Sequence, residues 1–275
     1  MSRSFTYQAL VLKTRSSGES NRDAWFLTAE EGLIRATVFG GPKSKLRAHV
    51  SPFNRGTLWI YHDPIRDSRK VSDFDVRSWR PGLRELYERT MAADALADTI
   101  LASHGGGGNW EEALSLADSG LDALENADEA LCIRIFIHFL WNWANILGLR
   151  PEPGRCGSCG EGFTANRARE ASAHEAGPDG LSWYDQQDGI FLCSPCAGRT
   201  AGDAGGENHS APNGGSRGLL PLNAGARRWL STVEGLDSPQ LARYSLDAAS
   251  LGQARAVLTA IMAGILGKRL GTWDF

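Results

Sequence analysis

DAWFLTAEEGLIRATVF, residues 23–39, decides how the front of this chain folds. It reads as two strands, Asp23 to Thr28 and Leu33 to Phe39, joined by Ala29-Glu30-Glu31-Gly32, a turn of polar residues closed by glycine. Upstream, Thr6 to Lys13 alternates around Tyr7, Ala9, Val11 and Lys13, the period-two signature of another strand. Downstream, the loop Gly40-Gly41-Pro42-Lys43-Ser44-Lys45 leads to two more, Gly56 to His62 and Val71 to Trp79. Five strands in about eighty residues, with Gly and Pro at the corners, predict a small closed barrel, for which the OB-fold is the commonest solution. A small open sheet and an SH3-like barrel share that strand count. Such a barrel needs bulky interior residues, so of Trp25, Phe39, Phe53, Trp59 and Tyr61 only one or two are expected at the surface.

Pro81-Gly82 ends the strands, and helical periodicity takes over. Leu83 to Leu101 carries apolar residues at Leu83, Leu86, Met91, Ala95, Leu96 and Ile100; after the glycines 105–108 come Trp110 to Leu124 and Asp128 to Leu147, the last with Gly148 as C-cap. Ala130 to Leu149 is apolar and long enough to be tested as a membrane span. Its polar members Arg134, His138, Asn142 and Asn145 fall on one face, opposite Ile133, Ile137, Leu140, Trp141 and Ala144. That pattern predicts a buried helix with one polar stripe, His138 hydrogen-bonded within it, and no membrane partner. A final helix, behind a Ser250 N-cap, repeats Val257, Leu258, Ile261, Met262, Ile265 and Leu266 at three and four. The fold class is therefore α+β. A barrel domain spans 1–80, and a helical domain begins at 81–150 and is completed by 218–275. Between them lie a cysteine module at 151–198 and a linker at 199–217, rich in Gly, Ala, Asn, Asp and Ser.

Cys156-Gly157-Ser158-Cys159 and Cys193-Ser194-Pro195-Cys196 carry the clearest chemistry. Each pair is followed by a small residue, Gly160 or Ala197, which suits a tight turn aiming two sulfurs at one point. Four thiolates meet the tetrahedral preference of Zn²⁺ with no vacant position, so Cys156, Cys159, Cys193 and Cys196 are expected to hold a structural zinc. The 33 residues between the pairs exceed the usual ribbon spacing, but loop-closure entropy grows slowly with length. Two redox dithiols or two disulfides are the competing assignment. A redox pair is expected at a strand-to-helix turn, whereas the first pair here follows Pro-Glu-Pro-Gly-Arg. His174 is a poor competitor beside four sulfurs, and Cys132 reads as a small core residue.

The net charge of −3 conceals an asymmetry. Residues 1–80 carry 14 Lys or Arg against 8 Asp or Glu, a balance of +6; residues 81–275 carry 15 against 24, a balance of −9. A basic first domain suggests an anionic partner, although a merely solvated face has the same composition. Met1 to Thr6 has no apolar secretion segment, which points to the cytoplasm, where thiols stay reduced. A phosphate-binding Walker loop, a nucleophile elbow and a His-Glu-x-x-His motif are all absent from the sequence, so no catalytic residues are assigned. What the barrel does offer is cations for a phosphate backbone: Arg15, Arg22, Arg35, Lys43, Lys45 and Arg47.

At this point the chain resembles RecO, the bacterial recombination mediator family. The resemblance runs through Ala9-Leu10-Val11-Leu12-Lys13, Gly18-Glu19-Ser20-Asn21-Arg22 and Phe26-Leu27-Thr28-Ala29-Glu30-Glu31-Gly32. It continues in Pro42-Lys43-Ser44, Ser51-Pro52-Phe53 and Pro81-Gly82-Leu83-Arg84, then in Ile146-Leu147-Gly148-Leu149-Arg150-Pro151 ahead of Arg155-Cys156-Gly157-Ser158-Cys159-Gly160. One departure is the glycine of the first barrel loop. RecO-like sequences commonly carry a basic residue beside it, whereas Gly40 stands between Phe39 and Gly41; Arg35 keeps a basic strand position.

The resemblance implies an N-terminal OB-fold, a helical domain with a zinc module, and binding of single- and double-stranded DNA. It further implies strand annealing, and loading of the recombinase, with RecR, onto DNA coated by single-strand-binding protein, at the nucleoid. The acidic, aromatic tail of single-strand-binding protein would need an apolar pocket rimmed by cations, for which Arg84, Arg89 and Arg134 are the candidates. Arg134 equally suits tying helices together through a carboxylate. Two other classes fit the composition: a zinc-containing interaction protein that binds no DNA, and a nucleotide-modifying enzyme. The latter lacks a proton-transfer pair near the cysteines.

Overall fold

The computed structural model describes residues 3–18, 20–41, 44–163, 180–203 and 218–275; Lys43, His174 and residues 204–217 of the expected linker lie outside them. The chain forms two compact units, one made of residues 1–139, 237–239 and 270–275, the other of 140–236 and 240–269.

The first unit is built on five strands: β1 (Ser4–Ser17), β2 (Asn21–Thr28), β3 (Gly32–Val38), β4 (Arg55–Asp63) and β5 (Ser68–Ser78), with a one-turn helix α1 (Lys45–His49) between β3 and β4. They close in the order β1-β2-β3-β5-β4, antiparallel throughout except for a short parallel contact of β3 with β5. That circuit is the OB-fold. Tyr7, Ala9 and Val11 point inward to meet Phe26, Ile34, Leu58 and Phe74. The expected alternation stops there. The register slips between Val11 and Lys13, so Lys13 turns outward and pairs with Asp98 at 2.8 Å. Leu10, Leu12 and Leu27 face away from the barrel interior yet are buried, because helices α2 (Tyr87–Ala102) and α3 (Trp110–Leu124) pack on β1 and β2. Gly32 is needed at the β2–β3 turn: its φ is +70°, and a Cβ would stand 2.6 Å from the Trp110 indole.

Among the five barrel aromatics only Phe53 is buried; Phe39 and Trp59 are exposed, and Trp25 and Tyr61 are half-covered. Two at the surface agrees with the sequence expectation, but the others are not mostly core as expected, since Tyr7, Phe26, Phe74 and branched aliphatics already fill the interior. The first helix also begins later than its apolar pattern. Pro81–Arg84 is a 3-10 turn and Leu86 is extended, so α2 starts at Tyr87. Arg80, only 2% exposed, locks this junction. Its guanidinium donates to the Phe53 carbonyl at 2.8 Å and to Asp122 at 2.7 Å, and it pairs with Asp118. Trp273 is fully buried, its indole N–H donating to Thr99 Oγ1 at 2.9 Å.

Helix α4 (Glu129–Ile146) contributes to both units and buries His138 and Cys132, whose thiol is pushed up to about 11, mainly by burial. Gly148, at φ +70°, caps it as expected, with the Leu149 N–H reaching the Ala144 carbonyl at 2.9 Å. In the second unit, β6 (Ser182–Asp185) lies between β7 (Ile190–Cys193) and β8 (Leu219–Leu222). Helix α5 (Ser194–Asp203) runs through residues 199–203, which composition had assigned to the linker. Helices α6 (Ala224–Val233) and α7 (Ala248–Leu266) follow. The N-cap of α7 is Asp247, not Ser250: its carboxylate accepts the Ser250 N–H at 2.9 Å and the Ser250 hydroxyl at 2.6 Å. Among the described residues α7 alone has the length and apolar composition to cross a membrane, and Val257, Leu258, Ile261 and Met262 on it are buried within the unit.

Candidate nucleic-acid interface and metal centre

The two cysteine pairs arrive on different local structures. Cys156 and Cys159 sit in a knuckle closed by the Arg155–Gly162 bridge. Gly160, at φ +74°, lets its N–H turn back to the Cys156 carbonyl at 2.8 Å. Cys193 ends β7 and Cys196 lies in the first turn of α5. The second pair therefore does occupy a strand-to-helix turn, and the argument against a redox dithiol applies to the first pair alone. What unites the four is distance. Their sulfurs all lie within 4.8 Å of one another, with Cys159 and Cys193 3.9 Å apart. A tetrahedral ion with metal–sulfur bonds of about 2.3 Å wants sulfurs roughly 3.8 Å apart, so the cluster fits a metal ion.

The surroundings favour thiolate at Cys156, whereas burial pushes the Cys193 thiol up to about 12. Burial raises the Cys156 thiol, but the N–H groups of Cys193, Cys159 and Ser158 outweigh it and bring the value down to about 6. Arg199 donates an N–H to the Cys196 sulfur at 2.8 Å. The knuckle is pinned to the sheet by the Gly157 N–H, which donates to the Phe191 carbonyl at 2.8 Å. These contacts orient the sulfurs toward one point.

On the barrel, strand register gathers a polar face from residues distant in sequence. Lys13, Trp25 and Arg35 form one row across β1, β2 and β3, and Arg15, Asp23 and Thr37 form the next. The Arg35 guanidinium lies over the Trp25 ring, 5.3 Å from its centroid, and pairs with Asp23. Arg35 holds the Asp23 carboxyl below its ordinary range, and Thr37 adds a hydrogen bond at 3.1 Å. Trp25 is thus a braced, half-exposed ring among cations. At the barrel rim, Lys70 stands over the exposed Phe39 ring at 5.2 Å.

The sequence-derived cations are only partly brought together. Arg15 and Arg35 share the β1–β3 face. Arg22 is pushed below its ordinary value first by burial and then by the charge of Arg47, so the two guanidiniums lie within electrostatic reach of each other. Lys45 and Arg47 lie on α1, not on an extended loop. Helical residues two apart diverge, so these two do not track one backbone together. Lys13, Trp25 and Lys70 were missed as site residues. Lys13 is readable only with the bulge, and Lys70 only with the β3–β5 contact.

Of the three arginines expected to meet a partner, Arg89 has structural work: its Nε donates to the Ala127 carbonyl at 2.7 Å and another N–H to the Gly82 carbonyl at 3.1 Å. Arg84 is exposed and Arg134 half-buried. In the second unit an open groove of about 460 Å³ is lined by Leu220, Ala256 and Ala260 together with Arg255, Arg269 and Gln186. No sequence signal marks it, because Gly and Ala on a helix read as filler.

Comparison with known proteins resolves the family. Residues 1–77 match the family described as "Recombination protein O N terminal", and residues 84–274 match "Recombination protein O C terminal". The chain belongs to the RecO family. Among its relatives, the DNA repair protein RecO of Myxococcus xanthus is 29% identical over 273 residues, covering 97% of this chain and 94% of that protein. The DNA repair protein RecO of Desulfitobacterium hafniense is 30% identical over 161 residues, covering 58% of this chain and 57% of the relative. That of a Synechococcus strain is 26% identical over 195 residues, with 67% and 60% covered. The match to the last two thus spans less than two thirds of their length. These relatives are all DNA repair proteins.

Proposed function

We propose that this chain is a non-enzymatic DNA-binding mediator of recombinational repair. It binds single- and double-stranded DNA through its barrel, anneals strands, and, with RecR, helps load the recombinase onto DNA coated by single-strand-binding protein. The observation that carries the reading is the Trp25–Arg35 stack in a row with Lys13 on the β1–β3 face. Aromatic rings on which bases stack, set among cations that meet phosphates, suffice for annealing, which needs charge neutralisation and proximity but no bond chemistry. Arg22 and Arg47, each within reach of the other's charge, support the same reading, because like charges in one neighbourhood are relieved by an anion. Filter binding by the full chain at two salt concentrations tests it. Affinity should fall steeply with salt, and Trp25→Ala should weaken single-strand binding about tenfold. A chain that retains no DNA at low salt would end this reading.

The ion is proposed to be Zn²⁺, held by Cys156, Cys159, Cys193 and Cys196 with no position open for substrate. It would supply cross-linking of the module, not a reaction. Metal analysis of protein purified without chelator should find one zinc per chain. The acidic tail of single-strand-binding protein is proposed to seat in the helical part of the chain. Beside Arg84, Arg89 and Arg134, the groove with Arg255 and Arg269 offers the apolar lining and cations such a tail requires. Titration of a tail peptide should saturate in the micromolar range, roughly 8 kcal/mol of binding. Loss of that binding in Arg255→Ala/Arg269→Ala, but not in Arg84→Ala, would place the tail in the groove.

A further inference from the structure

A second corner of the barrel carries aromatic and cationic side chains that the Trp25 face does not use. Trp79 follows the last residue of β5 and is 49% exposed. The His49 ring meets Trp79 edge-on with centroids 5.5 Å apart, and His49 is itself fixed by a 3.0 Å contact of Nδ1 with the Phe74 carbonyl. Arg84 is exposed and reaches the Pro52 carbonyl at 3.4 Å, which brings it to the same loop as His49. Arg77 is exposed two residues before Trp79.

An exposed tryptophan on a mobile segment would be unremarked, but this one is held from both sides. Ser78 before it pairs with Arg55 in the β4–β5 ladder, and Arg80 after it is the buried guanidinium bonded to Phe53, Asp118 and Asp122. The backbone on either side of Trp79 is therefore fixed while the ring stays half in solvent. Of the nearby carboxylates, Glu85 pairs with Arg89 at 3.7 Å, and Asp75 lies exposed two residues before Arg77 on the same strand. Among the described residues neither Arg77 nor Arg84 is in an ion pair. Rigid exposed rings flanked by cations are the stacking platforms of single-strand binding, since an unpaired base offers its π-face and its phosphate at once.

We infer that Trp79, His49, Arg77 and Arg84 form a second single-strand nucleic-acid site on the same barrel. The Trp25 face lies on β2, whereas Trp79 leaves β5. These strands share no edge: β3 separates them on one side of the barrel, and β1 and β4 on the other. A strand bound at Trp25 leaves the Trp79 corner free, so one chain holds two complementary strands at high local concentration. The inference rests on the DNA-binding reading above and assigns a separate site to the second strand.

The test uses the full, metal-loaded chain, short labelled oligothymidine to count strands, and two complementary oligonucleotides to time annealing. The wild type should saturate at two strands per chain. Trp79→Ala should saturate at one, keep its tighter affinity, and anneal about tenfold more slowly. Trp79→Phe should restore annealing, because a ring is what the site needs. Trp25→Ala should instead weaken the tighter site. A Trp79→Ala variant that still takes two strands and anneals at the wild-type rate overturns the inference and leaves the corner to a protein contact. A wild type that saturates at one strand, still sensitive to Trp25→Ala, overturns it while the DNA-binding reading stands. A wild type that binds no oligonucleotide overturns both.

Discussion

The barrel and the cysteine module differ in what holds them together. The barrel encloses a continuous apolar core supplied by all five strands, from Tyr7 and Phe26 to Leu58 and Phe74. Around the cysteines the buried cluster is Cys156, Leu192, Cys196 and Ala197, with Phe163, Trp183 and Ile190 packed at its edge. Two of the four residues at that centre belong to the cysteine cluster. A closed sheet stabilises itself by burying area in proportion to its strands, whereas a short knuckle and a three-stranded sheet have too little apolar surface to order their loops. The loss of the ion should therefore be local to one region and almost silent in the other.

Removing a ligand is the strongest way to break that comparison. Cys156→Ser or Cys193→Ser should abolish tight metal binding, whose apparent worth in small zinc modules is about 10–16 kcal/mol. Hydrogen exchange should then show the amides of Gly157, Gly160 and β7 losing protection while the β1–β2 and β4–β5 ladders keep theirs. Equal loss in both regions would show that the barrel depends on the module. The mirror experiment perturbs the barrel side. Arg80→Ala leaves the Phe53 carbonyl without its donor, at a cost of about 1–3 kcal/mol. Thermal unfolding should register that drop while the metal content stays unchanged.

Two smaller effects sharpen the picture of the barrel surface. Replacing Lys43, Lys45 and Arg47 together with Ala should weaken binding to all sequences alike. The slope of log affinity against log salt should fall by roughly two units on single strands if all three meet phosphate. Because Lys45 and Arg47 diverge on α1, a slope change nearer one unit would mean that a single cation of the set contacts the backbone. The smallest effect concerns Asp23. Its folded carboxyl is depressed by Arg35, so the pair's contribution is complete above the unfolded value of about 3.9 and is lost as pH falls through the lower folded value. Asp23→Asn should flatten that acid limb by less than about 1 kcal/mol, since Arg35 is largely in solvent.

Much of both regions was legible in the sequence, for local reasons. Alternation and turn residues marked the five strands, and the two Cys-x-x-Cys pairs marked the ligands, because each signal is written within a few consecutive residues. The exceptions are equally specific. Lys13 continues the alternation of Tyr7, Ala9 and Val11 on paper, but one slipped register position reverses its direction. Leu83 belongs to the helical period, yet the 3-10 turn after Pro81 and the extended Leu86 delay the helix. Ser250 looked like a cap, but Asp247 reaches its N–H and its hydroxyl together. Arg80, counted as one more barrel cation, is the least exposed arginine described here.

By itself the sequence determined the strand count, the helical remainder and the four sulfur donors, since period and spacing carry that information without reference to distant residues. Only the tertiary structure decided which aromatic rings face solvent, which cations share a face, and whether the two cysteine pairs meet. Trp25 and Phe53 are indistinguishable as barrel aromatics until closure of the sheet puts one among Lys13 and Arg35 and the other, at 6% exposure, beneath Arg80. The physical reason is that exposure and electrostatic surroundings depend on pairings between segments tens of residues apart, and no local pattern encodes those pairings.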